Sequence, residues 1–357
     1  MKGGQLFGQF HQLILLSVLM LFLSSVVVAL LAGPEPAIGA ITSSLQSILK
    51  NTHGSTEYGY PTDLTRDLLP VSLSVVSYID NSRDFHLDNV VNPWGPWISR
   101  FLDYWRDEPF YTGLSHGCMS TEADVWLYND TLYVGHDESA LTQSRTLESL
   151  YINPILDVLE RQNPESPFIS SPTKNGVWDT VPDQTLYFFI DVKTSGHETF
   201  KAVIAALEPL REKGYLTTVK DGKTVTNGPV TIIGTGETPF DMVAPIKDRD
   251  YFFDAPLADL NDPKYAGVTG VISPVASTDF QEAVGKITVD TDPILSDDQL
   301  KALRDQIATA NERGIGARYW NTPYFPIRAR NLVWRTLLRE GVILLNADDL
   351  DAVSSYF

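Results

Sequence analysis

Thr185-Leu186-Tyr187-Phe188-Phe189-Ile190-Asp191-Val192-Lys193 is a nearly continuous apolar run that closes on an acid and a base at alternate positions. A strand with apolar side chains on both faces belongs in a sheet covered on both sides, the habit of parallel sheets with crossover helices. Working outward, extended patterns occur at 119–128, 132–136, 230–234, 251–254, 268–273, 315–319 and 342–345, with another near 97–103. Helical patterns at 147–162, 197–213, 297–313 and 327–340 lie between them. This alternation predicts an α/β fold, a TIM-type (βα)8 barrel. Gly214, Gly314 and Gly341 stand where three of the helices should stop. Nine strand candidates exceed the eight of a closed barrel, so one is a hairpin arm or a misassignment.

The 357 residues suffice for one large barrel, read at 66–357, preceded by an extension. Residues 13–32, LILLSVLMLFLSSVVVALLA, carry no charge and as a helix match the roughly 30 Å hydrocarbon core of a bilayer. They read as a transmembrane anchor or a long signal sequence. The first reading puts a single-pass protein's barrel on the lumenal or extracellular side; the second gives a secreted protein. Asn129-Asp130-Thr131 is a glycosylation sequon consistent with that side. Residues 34–65, rich in Ser, Thr, Gly and Pro, read as a linker. With 27 Lys and Arg against 45 Asp and Glu, a net charge of −18 excludes bare nucleic acid as the expected partner and favours divalent cations. Cys118 is the single cysteine, which rules out an internal disulfide and a thiolate zinc cluster and suits a small core residue.

In Glu122-Ala123-Asp124 the carboxylates alternate, so a strand presents both on one face. Asp191 adds a third acid, and such oxygen sets are what Mg²⁺ or Ca²⁺ select. Lys193 can meet a phosphate oxygen as a point charge. His136 ends the 132–136 run, where a barrel would carry a catalytic histidine at its mouth. In a hairpin with 119–128, a two-residue turn at Asn129-Asp130 sets His136 opposite Ala123, facing away from the acids. Only a three-residue loop or a bulge would turn it toward Asp124. His116 lies six residues before Glu122, toward the other end of the strand, and is not expected at the site. The aromatic run Tyr319, Trp320, Tyr324 and Phe325 either walls a pocket or packs in the core.

Glu122, Asp124, His136-Asp137, Asp191 and Lys193 occur in the order seen in glycerophosphodiester phosphodiesterases. More closely, residues 121–154, TEADVWLYNDTLYVGHDESALTQSRTLESLYINP, together with ARYWNTP at 317–323 and LLNADDL at 344–350, resemble the fungal altered inheritance of mitochondria protein six family. That family lies in the phospholipase-C-like phosphodiesterase superfamily. The resemblance runs from about Trp97 to the end. It implies a metal held by Glu122, Asp124 and Asp191, with His136 protonating the leaving alkoxide and Lys193 offsetting phosphoryl charge. It also implies a second catalytic histidine in a Ser-His-Asn-Asp-Tyr-Trp pattern, where this chain reads Arg100-Phe101-Leu102-Asp103-Tyr104-Trp105. Phe101 holds the histidine's place.

Two functions are expected from these residues. One is a phosphoric diester hydrolase acting on glycerophosphodiester or phospholipid-type substrates. The other is a pseudoenzyme that binds metal and a phosphorylated headgroup without turnover.

Overall fold

The computed structural model describes residues 97–100, 106–169 and 171–356. The apolar segment 13–32, the linker 34–65, Phe101 and Asp103 lie outside the described residues. Among the described residues no helix is long and apolar enough to cross a membrane.

Strand β1 (Trp97–Arg100) is followed by helix α1 (Pro109–Ser115) and a hairpin of β2 (Ser120–Tyr128) and β3 (Thr131–Val134). Helix α2 (Asn153–Gln162) leads to β4 (Leu186–Val192), helices α3 (Gly196–Ala206) and α4 (Glu208–Glu212), and a small hairpin of β5 (Thr218–Lys220) and β6 (Thr224–Thr226). Next come β7 (Val230–Gly236), β8 (Phe252–Phe253), β9 (Ala255–Pro256) and β10 (Val275–Asp279), which runs into the single turn α5 (Phe280–Ala283). Then α6 (Asp297–Glu312), β11 (Gly316–Trp320), α7 (Ile327–Arg339), β12 (Leu344–Ala347) and α8 (Leu350–Tyr356) complete the chain.

The strands form two five-stranded sheets, ordered β3-β2-β4-β7-β8 and β1-β12-β11-β10-β9, with every pairing parallel except β2 with β3. The fold is thus mixed α/β. The predicted closed ring of hydrogen bonds is not present among the described residues: the run from β8 to β9 breaks at Asp254, and β1 and β2 share no ladder.

The surplus strand is β3, the hairpin arm. The predicted strand at 268–273 is instead a turn, with the backbone amides of Ile272 and Ser273 both donating to Thr269 O. Gly270 sits so close to Gly314 O that no side chain would fit there, and the strand starts only after Pro274. Helix 197–213 divides at Leu207, because Pro209 has no amide to continue the ladder. Gly214, Gly314 and Gly341 do end their helices, at φ of 67°, 68° and 93°.

The two faces of β4 have different uses. Phe188 stacks on Tyr151 at 5.1 Å between ring centroids, on the helix side. Phe189 and Asp191 share the other face with Glu122 and Asp124, which are their register partners on β2. Cys118 is buried, as its reading required.

Candidate metal and phosphate site

The acid cluster is a consequence of register. Asp124 pairs with Asp191 and Glu122 with Phe189 across β2 and β4, so three buried carboxylates project on one side and offer oxygens all within 4.8 Å of one another. Lys193, just beyond β4, reaches back to Asp191 Oδ2 at 2.7 Å and lies 3.6 Å from Asp124 Oδ1.

His136 also arrives, by a route other than the one expected. The turn is the two-residue form, Asn129 and Asp130 at φ 49° and 60°, and the ladder pairs Tyr128 with Thr131 and Val125 with Val134. Continued, that register would aim His136 away from the acids. It is not continued, because β3 stops at Val134. Gly135 donates its amide to Asp124 O at 3.1 Å and accepts from the Trp126 indole at 2.7 Å, and there the chain turns out of the sheet. His136 Nδ1 then lies 3.0 Å from Asp124 Oδ2. His116 is elsewhere, against Asp351 and Thr112 O.

Three site neighbours, Arg318, Asn346 and Asp254, were not singled out by the sequence. Arg318, fully buried on β11, bonds Glu122 Oε2 through Nη2, bonds Asn346 Oδ1 through Nη2 at 2.6 Å and Nε at 3.2 Å, and lies 4.4 Å from the centroid of the Phe189 ring. Asp254, in the break between β8 and β9, has its carboxyl buried beside Ser277 and Thr235. Of the three only Arg318 carried a signal like that of Asp191, a charged side chain inside a strand.

Burial raises the Glu122 carboxyl to about 8; Arg318 pulls it down, and Asp191 and Asp124 push it up. Burial and Asp124 raise Asp191 to about 6 against the pull of Lys193, and burial raises Asp254 to about 6 against that of Arg318. Burial lowers the Lys193 ammonium, but Asp191, Asp124 and Glu122 outweigh it and the net shift is upward. Acids raised in the folded state bind more protons there than in the unfolded chain. Their contribution to stability is therefore complete below the unfolded carboxylate range and is lost as pH rises through about 6 and about 8. Metal-free protein is expected to lose on the order of a few kcal/mol of stability between pH ~4 and ~8. Urea titrations across that range, in chelator, measure it. A flat profile would contradict the coupling.

The donor set fits a hard dication: three carboxylate oxygens lie in one cluster, and a dication would draw the protons from its raised acids. Gly236 maintains the space. At φ 63° its hypothetical Cβ would fall 2.0 Å from Asp191 Oδ1 and 2.7 Å from Val192 O, so a side chain there must displace Asp191 or the backbone. Gly236→Ala should weaken divalent-metal affinity by about 10- to 100-fold, read by calorimetric titration. Unchanged affinity would show that Asp191 does not need this position.

The inward acids on β2 and β4 lie within residues 97–254, the part of the chain that matches an AIM6-like phosphodiesterase domain. The homolog of altered inheritance of mitochondria protein 6 from Arthroderma benhamiae is 49% identical over 335 residues, covering 92% of this chain and 97% of that protein. Altered inheritance of mitochondria protein 6 from Eremothecium gossypii is 33% identical over 71% of this chain and 67% of its own length. That of Saccharomyces cerevisiae is 32% identical over 75% and 72%. The chain belongs to the altered inheritance of mitochondria protein 6 family.

Proposed function

We propose that this chain is a metal-dependent phosphoric diester hydrolase for glycerophosphodiester or phospholipid-type substrates. The observation that carries the reading is the convergence of Glu122, Asp124 and Asp191 with Lys193 and His136 in a family with a phosphodiesterase-like domain. The eight parallel strand positions, counting β8 and β9 as one, and the approach of β1 to β2 support a (βα)8 barrel as its frame. Residues 13–32 would hold that barrel at a membrane on the lumenal or extracellular side, where exposed Asn129 could accept a glycan.

Glu122, Asp124 and Asp191 would hold Mg²⁺ or Ca²⁺, which when bound polarises the phosphoryl group. Lys193 supplies positive charge beside the acids and is set to offset charge developing on phosphoryl oxygens. Asp124 accepts a hydrogen bond from His136 Nδ1, which makes Nε2 the atom that takes or delivers a proton at the leaving oxygen. Phe101 favours a second reading, a pseudoenzyme that binds metal and a phosphorylated headgroup without turnover.

Turnover of a chromogenic phosphodiester with and without EDTA separates the two. Metal-dependent hydrolysis abolished by Asp191→Asn is the expected result. Metal binding without hydrolysis selects the pseudoenzyme, and no binding at millimolar Mg²⁺ or Ca²⁺ removes both.

A further inference from the structure

From Trp320, the last residue of β11, the chain runs through Asn321-Thr322-Pro323-Tyr324-Phe325-Pro326 to Ile327, the first residue of α7. Within these eight residues Trp320, Tyr324, Phe325 and Ile327 expose 38%, 86%, 71% and 59% of their surfaces. Tyr319, one residue earlier, is in the core, so the aromatic run divides at the strand end. Arg328 Nη1 donates to the carbonyl of Val289 at 3.4 Å, so the preceding loop, where Val289 is itself exposed, reaches the first turn of α7. Single exposed apolar side chains are ordinary; several large ones in one short loop mark a contact surface.

The loop is braced. Asn321 adopts φ 55°, donates through Nδ2 to Asp279 Oδ2 at 2.7 Å, and accepts on Oδ1 from Gln281 Nε2 at 3.0 Å. Pro323 and Pro326 stiffen the rest of the loop. The aromatic side chains are therefore presented outward by a loop fastened to the end of β10.

We propose that residues 320–327 dock on the interface of a phospholipid bilayer. Trp and Tyr side chains, each an apolar ring with a polar tip, are the residues that settle at headgroup depth, and here Phe325 and Ile327 accompany them. Beside the patch Arg328 lies 3.7 Å from Asp292, an ion pair with no net charge, which suits a zwitterionic surface. The loop continues the strand that carries Arg318, so it rims the acid cluster, where a lipid headgroup would enter. The uncharged segment 13–32, long enough to span a bilayer, would keep this domain beside that surface.

The test uses the full chain in phosphatidylcholine vesicles, with an environment-sensitive fluorophore on Phe325→Cys and, as control, on Phe168→Cys at another exposed site. Brominated phosphatidylcholine should quench the label at 325 and leave that at 168 unaffected. Equal quenching at both sites, or none at 325, overturns the proposal. A blue-shifted label at 325 that brominated lipid does not quench also overturns it, since protein, either segment 13–32 or a second copy, then covers the patch. Tyr324→Ser/Phe325→Ser should cut turnover of a vesicle-borne diester about tenfold while leaving a soluble chromogenic diester unaffected. Equal turnover of the vesicle-borne diester counts against docking. Failure to turn over the soluble diester would sink the catalytic reading alone, because the quenching is read without activity.

Discussion

Arg318→Met should cost metal-free protein about 3 kcal/mol of stability at pH about 9, where Glu122 is ionised beside it, and divalent metal should restore a large part of it. Arg318 and Glu122 face each other from different sheets, both almost entirely buried. Where Glu122 is ionised, removing the guanidinium leaves a carboxylate with neither water nor a counter-charge, the costly way to break a buried pair. Asp191 and Asp124 make the loss worse, because both already push Glu122 toward its neutral form. At pH about 5, well below the Glu122 value of about 8, the carboxyl carries a proton with or without Arg318, so the penalty should shrink. A bound dication supplies charge to Glu122 directly, so Mg²⁺ or Ca²⁺ should stabilise the variant by more than it stabilises the parent chain. Urea denaturation at two pH values, with and without metal, reads all of this. Should metal stabilise both chains equally, Arg318 is a packing residue with no tie to the acid cluster.

The strands that hold the acids were legible because burial writes them plainly. A run such as 185–193 can be apolar on both faces only inside a covered sheet, so Asp191 stood out as an inward exception. Residues 275–279, Val-Ala-Ser-Thr-Asp, carry little apolar bulk, and their pattern is that of a loop. They form a strand because β9 and β11 pair with them on both sides. That stabilisation is tertiary and leaves no local trace. The path of His136 was hidden for a related reason. Alternation describes residues within a ladder, whereas this histidine is placed by the chain leaving one, under a clamp between Trp126 and the Asp124 backbone. Asp254 and Asn346 become site residues only when the two sheets face each other, a distance in sequence that spacing cannot express.

His136→Ala should lower kcat for a soluble diester by about 10²- to 10⁴-fold with KM nearly unchanged, since a proton-transfer group acts in the transition state. Its Nδ1 contact with Asp124 admits a competing explanation, in which the imidazole only orients a metal ligand. The two explanations differ in what else changes. An orienting residue, when removed, weakens metal binding and leaves the shape of the pH–rate profile intact; a proton carrier removes one limb of that profile and leaves metal affinity almost unaltered. Phe101→His supplies the complementary arm. If the place held by Phe101 is that of the absent proton acceptor, its imidazole should raise kcat and add a limb with a pKa near that of histidine. Activity that falls in His136→Ala and does not rise in Phe101→His would mean that this chain already supplies its second proton-transfer group from another residue. The extra limb would then be missing from the profile, and the search would pass to the acids that flank the cluster, Asp137 and Asp254.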